Sequence, residues 1–530
     1  MSEPAAASPA IEIAALGLVA AGKTLLEDAS LKVPRGEVAL LVGLSGSGKS
    51  LTMRLLLGLL DPEDPAVSVR GEARLFGEPA RSSAARRAGI VFQDFGLFDE
   101  WTARENVLFG FDHRAGHRAS DRGAAADRLL AEFALAGTAR PALMSGGQRQ
   151  RTALARTLAY DPDILFYDEP TSGLDPAMAA QVAARIRTTN DEHEKTSFVI
   201  THDLSSLVPI ADRIILLDAR ARTFREVGKE AIDAELARLA GAPFEDRSGG
   251  DSTPLGRSVF GTVAATATDF LRTTARAVEA AVLAGFALLP RWPRIGWGFR
   301  YLWYYLRLTA VGSAMAYVSL AGFVLGLIVT YFTYNYLPFR KYTEPIVLDS
   351  ITGAIGYSIF RIMAPGMTAM LMAARSGAAI AADVGHRVYS RQTDALRSFG
   401  VRPERYFLTN ILWAHLIGTP LLLFLNFAWA SFGSLVVFVF VHPEHSTFFF
   451  TSEYTRLLDR GPGVWEGTAG VVWKSLLAAL GTGAIAYFQA SRPKRSGRDV
   501  SQAVTATIIW STIFALMVQL VAAIIEFKPT

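Results

Sequence analysis

The sequence predicts a two-part fold, in which an α/β domain with a mainly parallel sheet precedes an all-α membrane domain of about five spans. The apolar segments 37–43, Ile164–Tyr167 and Ser197–Thr201 predict buried strands, and helical segments alternate with them. That alternation is typical of a parallel sheet covered by helices. Long apolar stretches follow between about 308 and 526. The segment 241–256 between the two parts is rich in Gly, Pro, Ser and acidic residues, which is the composition of a linker.

Composition limits the classes of protein that need to be considered. The chain has 530 residues, 51% of them hydrophobic, and a net charge of +4. Its length allows two or more domains, and so small a net charge gives no indication of a nucleic-acid partner. The absence of cysteine excludes disulfides, thiolate metal sites and a cysteine nucleophile. The N-terminus, MSEPAAASPA, lacks a basic region followed by an apolar core, so we expect no secretory signal and a cytoplasmic first domain.

We expect four regions along the chain: a first domain over 1–240, the linker 241–256, an amphipathic interfacial region over 257–300, and a membrane domain over 301–530. Aromatic and basic residues alternate in the third region, which suits a membrane interface. A helix packed on the first domain is the alternative. Within that domain, the alanine-rich stretch from about 111 to 143 predicts a helical subdomain.

Five apolar stretches are long enough to cross a hydrocarbon core of roughly 30 Å. The third is too long for one straight crossing, so we expect it to tilt, kink or include an interfacial turn. The second contains Arg361 and Pro365, which favours a broken or re-entrant segment. The predicted spans are 308–333, 350–373, 406–441, 466–489 and 503–526.

Basic residues set the predicted orientation in the membrane. Arginines are concentrated in 374–405, and arginines and a lysine in 490–499, so both segments should be cytoplasmic. The loop 442–465 and the C-terminus should then lie outside, with Arg340 and Lys341 as exceptions to the rule.

A glycine-rich loop follows the first predicted strand. Gly43–Ser50 reads GLSGSGKS, a complete Walker A pattern between a strand and a helix. Such a loop directs successive N–H groups toward phosphate oxygens, and the helix N-terminus adds positive potential. Lys49 would reach the β- and γ-phosphates, and the Ser50 hydroxyl would bind Mg²⁺. A glycine-rich turn without a ligand is the alternative. The candidate ATP-binding residues here are Gly43, Leu44, Ser45, Gly46, Ser47, Gly48, Lys49, Ser50 and Leu51.

Two acidic residues end the second predicted strand. Asp163–Glu169 reads DILFYDE, in which Asp168 would hold Mg²⁺ and Glu169 would act as the general base toward water. An acidic pair in this position could also be a helix N-cap. The following PTSGLDP makes the hydrolytic interpretation much more specific.

Four further motifs, together with the two Walker motifs, resemble the ABC transporter ATPases in the family's order. Met144–Gln148 (MSGGQ) resembles the LSGGQ signature, with Met in the first position. Gln93 resembles the Q-loop glutamine, Asp175 the D-loop residue and His202 the switch histidine. The resemblance covers about 220 residues and implies ATP and Mg²⁺ as cofactors.

The same resemblance implies a composite site made by two copies of the chain. Each ATP would lie between the Walker A loop of one copy and Ser145, Gly146, Gly147 and Gln148 of the other. His202 would contact the γ-phosphate, and Gln93 would bind Mg²⁺ and couple the nucleotide to the membrane domain. The chain departs from the family where an adenine-stacking aromatic residue is expected, because Ala20 and Ala21 stand there.

Residues 374–407 read ARSGAAIAADVGHRVYSRQTDALRSFGVRPERYF. This stretch resembles the MlaE/YrbE permease family, and the resemblance covers roughly 270–526. Asp383 replaces the usual Glu, and Ser390 and Arg391 depart from the usual small-acidic pair. The family moves phospholipids or other lipids between the inner membrane and a periplasmic partner with MCE domains, so the resemblance implies such a partner and an inner-membrane location. The matching residues are Arg375, Gly377, Ala379, Gly385, Gln392, Asp394, Ala395, Leu396, Gly400, Pro403 and Tyr406, with Arg361 and Pro365 in a preceding segment.

Several alternatives stay open at this point. The cargo could be another apolar compound such as a sterol or drug, or the chain could be a mechanotransmitter that acts on a periplasmic partner and moves nothing. A non-transport ABC ATPase is disfavoured by the fused spans. Arg361, Arg375 and Lys474 could meet lipid headgroups, or could snorkel or pair with an acid such as Asp383. The segment Val384–Arg397 is predicted to be a coupling helix near Gln93, or else a surface helix touching lipid.

Overall fold

A computed structural model describes residues 8–20, 22–60, 67–114, 121–240, 284–336, 340–459, 465, 467–494 and 496–526. The chain divides into two compact units. The first comprises Met1–Arg257 and Ser390–Arg402, and the second comprises Ser258–Tyr389 and Pro403–Thr530. The predicted linker 241–256 and most of the predicted interfacial region 257–300 lie outside the described residues.

Ten strands are described in the first unit. Six of them form a sheet in the order β10-β9-β3-β8-β7-β6, parallel throughout except that β10 runs antiparallel to β9. The mainly parallel sheet predicted from the sequence is therefore confirmed. The strands are β1 (Ile11–Ala20), β2 (Lys23–Val33), β3 (Val38–Val42), β4 (Val67–Leu75), β5 (Glu78–Pro79), β6 (Ala88–Val91), β7 (Ile164–Asp168), β8 (Thr196–Ile200), β9 (Arg213–Asp218) and β10 (Thr223–Glu226).

The central strand shows why these segments are apolar along their whole length. Every residue of β3 is buried. Val38, Leu40 and Val42 enter one apolar cluster, whereas Ala39 and Leu41 enter another. Successive side chains of a strand point to opposite faces, so both faces of the sheet are covered. Polar residues such as Asp168 are found where the parallel strands end, at their carboxyl ends.

A second, four-stranded antiparallel sheet, in the order β2-β1-β4-β5, was not predicted. Its strands give weak sequence signals. The pairing of β1 with β2 is interrupted by register shifts, and Ala15 within β1 has a φ of 48°. Most of β4 is exposed. Regular alternation of apolar and polar residues, which identifies a half-buried strand, is therefore lost.

Eight helices are described in the N-terminal part of the first unit. The helix after the Walker A loop, predicted from Lys49 to Leu60, ends at Leu56, and Gly58 follows with a φ of 64°. Within the predicted helical region 111–143, the described residues include the end of α3, all of α4 and a 3₁₀ turn at Pro141–Leu143. The helices are α1 (Lys49–Leu56), α2 (Ala80–Arg87), α3 (Ala103–His113), α4 (Arg122–Glu132), α5 (Gly146–Tyr160), α6 (Pro176–Glu192), α7 (Leu204–Leu207) and α8 (Ile232–Ala240).

The described residues of the second unit are mainly helical, and five stretches among them are long and apolar enough to span a membrane: Ile295–Asn335, Val347–Tyr389, Pro403–Val441, Thr468–Ala490 and Gly497–Glu526. This confirms the predicted number of spans. The helices from here on are α9 (Ile295–Thr309), α10 (Ser313–Asn335), α11 (Arg340–Ser358), α12 (Ala364–Leu371), α13 (Ala378–Tyr389), α14 (Gln392–Ser398, in the first unit), α15 (Pro403–Tyr406), α16 (Leu408–Val441), α17 (Thr447–Arg456), α18 (Thr468–Ala490) and α19 (Gly497–Glu526).

The second and third spans each contain a proline, yet both continue as helices through it. Instead of the expected broken or re-entrant segment, the second span is a helical run with wider π-type turns at Ile359–Met363 and Met372–Gly377. A wider turn accommodates the missing N–H of Pro365, which lies just after the first of them. The third span, α16, continues for 34 residues with Pro420 inside it.

Close contact between α10 and α16 gives a stability prediction. A Cβ added at Gly326 would overlap the carbonyl oxygen of Ala430, whereas a Cβ at Gly366 would have no heavy atom within 4 Å. We expect Gly326→Ala to destabilise the second unit by about 1–3 kcal/mol, because the two backbones must separate. Gly366→Ala is the matched control, with an expected change within about 0.5 kcal/mol. Thermal unfolding of the purified protein in detergent measures both, and equal stability of the two variants would contradict the prediction.

Candidate nucleotide site and coupling segment

The loop between β3 and α1 is shaped by two glycines in left-handed conformations. Gly46 has a φ of 76° and Gly48 a φ of 108°, values that residues with a Cβ rarely adopt. A Cβ at Gly46 would meet no heavy atom within 4 Å, so that side of the loop is open. Gly48 is the N-cap of α1 and supplies no side-chain cap, so the first-turn N–H groups are not capped by it. The loop therefore has the form of an anion-binding helix N-terminus.

Lys49 lies inside this loop. Its side-chain ammonium donates to the carbonyl oxygens of Gly43 at 2.8 Å and Leu44 at 2.9 Å, and the residue is 8% exposed. Burial lowers the pKa of Lys49, while the charges of Glu169 and Asp168 act in the opposite direction. A buried ammonium whose hydrogen bonds go to neutral carbonyls is well suited to an incoming phosphate.

The hydroxyl of Ser47 supports the same ligand. It is buried and has no hydrogen-bond partner among the described residues. A buried hydroxyl without a partner is costly, and a phosphate oxygen would satisfy it. Ser50 lies exposed in the first turn of α1, where its hydroxyl could reach a metal ion bound to the phosphates, and Leu51 follows it half-buried. The loop residues thus fit ATP with Mg²⁺.

The acidic pair lies where β7 ends. Asp168 is the last residue of the strand; burial and then the charge of Glu169 raise its pKa from 3.8 to about 6. A divalent cation would reverse both effects, which fits a metal-ligand role. Glu169 adopts a φ of 49°, and its N–H donates to the carbonyl oxygen of Ile200 at 2.9 Å.

His202 approaches Glu169 from the neighbouring strand. It follows β8, and its Nδ1 lies 3.3 Å from Glu169 Oε2. The imidazole is 62% exposed, so it is accessible to a ligand as well as to the carboxylate. The structure therefore brings together the predicted base and the predicted switch histidine at the carboxyl ends of two adjacent parallel strands.

Gln93 reaches the loop that follows the acidic pair. Its Nε2 lies 3.4 Å from the hydroxyl of Ser172, and its side chain is exposed. The following residues are held by the buried Arg156, whose guanidinium donates to the carbonyl oxygens of Gly96 at 2.5 Å and Phe95 at 3.1 Å. Sequence reasoning missed Arg156; an arginine among the apolar residues of α5 was the available signal.

The signature residues form the start of α5. Ser145 is its N-cap, and a capping box joins it to Gln148: the Ser145 hydroxyl accepts from the Gln148 N–H at 3.2 Å, and Ser145 N–H donates to Gln148 Oε1 at 2.9 Å. Gly146 and Gly147 follow in the first turn, where N–H groups lack intrahelical partners. Asp175 caps α6 by accepting from the N–H of Met178 at 3.0 Å. The predicted contact of these residues with a second copy's nucleotide stays a prediction.

The segment Ser390–Arg402 belongs to the first unit although it is flanked in sequence by the second. A Cβ at Gly96 would lie 3.3 Å from the Cβ of Ala395, and Ala395 is part of the apolar core. Phe399 meets Phe109 and Tyr160 edge-on, with ring centroids 5.7 and 5.1 Å apart. The predicted coupling helix thus docks beside the loop after Gln93, but it comprises α14 rather than the whole of Val384–Arg397.

Charged residues in the second unit pair differently from the sequence expectation. Arg361 and Lys474 both bind Glu526, with Arg361 Nε 2.8 Å from Oε1 and Lys474 Nζ 2.8 Å from Oε2. Arg375 instead donates to the carbonyl oxygen of Leu308 at 2.8 Å and to the hydroxyl of Ser313. Arg361 and Lys474 thus pair with an acid, as one alternative expected, but that acid is Glu526 rather than Asp383.

Asp383 is used by other partners. Arg387, one helical turn later, donates to it at 2.8 Å, and the hydroxyls of Tyr304 and Tyr305 donate at 2.6 and 3.1 Å. This cluster joins α9 to α13. Glu526 was missed from sequence because nothing local marks it as the partner of residues more than fifty positions away.

Comparison with known proteins agrees with this geometry. Residues 26–172 match the family model described as ABC transporter, and residues 305–525 match that described as Permease MlaE. The chain is 37% identical over 220 residues to the L-cystine transport system ATP-binding protein TcyN of Escherichia coli K12, covering 39% of this chain and 86% of that protein.

Two further proteins are similar to part of the chain. The sulfate/thiosulfate import ATP-binding protein CysA of Synechocystis is 36% identical over 196 residues, and the match covers 37% of this chain and 54% of that relative's length. A solved structure of the ATP-binding cassette MJ0796, dimeric and bound to ADP and Pi, is 27% identical with a TM-score of 0.36, covering 41% of this chain and 98% of that one.

The fold and the site thus define an ATP-hydrolysing cassette domain that uses ATP with Mg²⁺, joined in one polypeptide to a multi-pass membrane domain. The chain belongs to the ABC transporter family, with an ABC ATPase domain fused to a permease domain of the MlaE type. The ATPase domain is cytoplasmic.

Proposed function

We propose that two copies of the chain form an ATP-driven transporter that moves phospholipid, or a similar lipid, between the inner membrane and a periplasmic partner with MCE domains. The observation that carries this proposal is the match of residues 305–525 to the MlaE permeases in the same chain as the cassette. Lipid transport is what this resemblance leads us to expect of the chain. The pairing of charged side chains within its spans supports that expectation.

Several charged side chains of the described spans engage one another or the backbone. Glu526 binds Arg361 and Lys474, and Asp383 binds Arg387. A pathway for a small ion or a sugar needs convergent polar groups that are free to bind it. Side chains engaged in this way leave a surface that suits an apolar cargo better.

Two copies are proposed because one chain holds half of each composite site. Lys49 and Glu169 lie in the site of one copy, and the first turn of α5 in the other copy would complete it with N–H groups directed at the γ-phosphate. Closure by ATP and reopening after hydrolysis would then reshape the permease pair. The purified protein should have twice the chain mass of 57.4 kDa, to be measured by native mass spectrometry.

The cargo is tested with a photoactivatable phospholipid in nanodiscs. We expect it to crosslink to residues 305–525 of the nucleotide-free protein, and the yield to change at least about fivefold when Mg-ATP is trapped by Glu169→Gln. A photoactivatable sterol at the same density is the control for other apolar cargo. Equal crosslinking in the two nucleotide states would overturn lipid transport and favour the mechanotransmitter, whereas a nucleotide-dependent change for sterol alone would identify a different cargo.

A further inference from the structure

One ion pair connects the segment Ser390–Arg402, which contains α14, directly to the helix that follows the Walker A loop. Asp394, on α14, lies with its Oδ2 3.6 Å from Nη2 of Arg54, on α1. Arg54 follows Lys49 by five positions, on the same eight-residue helix. A displacement of α14 would therefore act on the helix whose first turn is expected to bind the phosphates.

Asp394 is a buried carboxylate that is surrounded by three arginines. It is 6% exposed, and besides Arg54 it meets Arg391 at 3.3 Å and Arg397 at 3.7 Å. Arg54 is itself partly buried, and its Nε has no hydrogen-bond partner among the described residues. Removing the carboxylate would leave the partly buried guanidinium of Arg54 without this counter-charge. The Arg54 side chain should then change its position.

Docking of α14 does not depend on this carboxylate alone. Gln392 donates to Asp99 at 3.0 Å, Ala395 is packed in the apolar core, and Phe399 lies against two aromatic rings. Arg156 lies 5.7 Å from the ring of Phe399. These contacts allow the charge of Asp394 to be removed while the helix stays in place.

The cations around Asp394 also act on the metal site. Burial and the charge of Glu169 raise the pKa of Asp168 most, and the charges of Arg391 and Arg54 act against that rise. Ser390 and Arg391 depart from the small-acidic pair expected from the MlaE/YrbE resemblance, and Arg391 adopts a φ of 60° ahead of α14. This chain thus supplies positive charge from its permease-derived segment to the surroundings of the metal ligand.

We propose that the Arg54–Asp394 pair fixes the position of α1 relative to α14. Through that position, α14 would determine the affinity of the site for Mg-ATP. The proposal rests on the ATPase and on the described contacts of the first unit, and it does not depend on the identity of the cargo.

A double-mutant cycle tests the pair in the full-length protein. We expect Asp394→Asn and Arg54→Gln each to raise KM for Mg-ATP between about 5- and 150-fold, with a smaller effect on kcat. The double variant should be no worse than Asp394→Asn alone, because the Arg54–Asp394 contact is already lost in that single variant. Arg397→Gln, which also removes a cation near Asp394 but leaves the Arg54–Asp394 pair intact, is the matched control and should leave KM unchanged.

A docking readout separates positioning from simple attachment of α14. The chain has no cysteine, so Asp99→Cys with Gln392→Cys gives a unique thiol pair for a short bifunctional crosslinker. We expect the crosslinking yield to persist when Asp394→Asn is added. Loss of the crosslink together with ATP affinity would show that the pair only holds the helix in place and would overturn the proposal, as would unchanged KM or additive effects in the cycle.

Discussion

Replacing Glu169 with Gln should abolish ATP turnover while ATP remains bound. The carboxylate is the predicted general base, it follows the metal-ligand candidate Asp168, and it lies 3.3 Å from His202 Nδ1. A glutamine keeps the size and hydrogen-bonding capacity of the side chain but accepts no proton from water. General-base catalysis contributes about 10²–10⁴-fold to the rate, so phosphate release should fall at least about a hundredfold.

The measurement combines steady-state phosphate release with nucleotide retention on a filter. Glu194→Gln is a matched control, because Glu194 also has a positive φ, of 52°, but is exposed in the connection between α6 and β8. It separates the effect of the lost carboxylate from that of a substitution in left-handed backbone. Phosphate release by Glu169→Gln at the wild-type rate would remove the base assignment.

The parts of the fold that sequence predicts well are those specified by local pattern. β3, β7 and β8 are buried on both faces, so they are apolar at nearly every position and stand out in the sequence. The Walker A loop follows from a fixed spacing of glycines and a lysine. The exposed β4 carries no such pattern, and its sheet was missed for that reason.

The contacts that could not be predicted join residues far apart in the chain. Gln392 and Asp99 are separated by 293 positions, and Arg361 and Glu526 by 165. No periodicity or spacing in a single sequence relates such residues. A membrane arginine predicts that some acid will neutralise it, but the sequence does not identify that acid as Glu526 rather than Asp383.

Removing the carboxylate of Glu526 should destabilise the second unit strongly. This carboxylate binds both Arg361 and Lys474, and the three side chains are between 3% and 13% exposed. Glu526→Ala would leave two cations in a low-dielectric environment without their counter-charge. Breaking a buried ion pair by removing one partner costs about 3–5 kcal/mol, so we expect a loss of that size.

Two comparisons distinguish an unpaired buried charge from a general loss of contacts. Asp349→Ala breaks the exposed pair with Arg456, whose side chains are 42% and 45% exposed, and should cost at most about 1 kcal/mol. The triple variant Arg361→Met, Lys474→Met, Glu526→Leu removes all the charges together and should recover most of the stability lost in Glu526→Ala. Unfolding in detergent, followed by helix content, measures all three variants. The triple variant leaves no unpaired charge, so equal instability of the triple variant and Glu526→Ala would contradict the prediction. Both variants lose the native packing of these side chains, and that packing would then account for the stability.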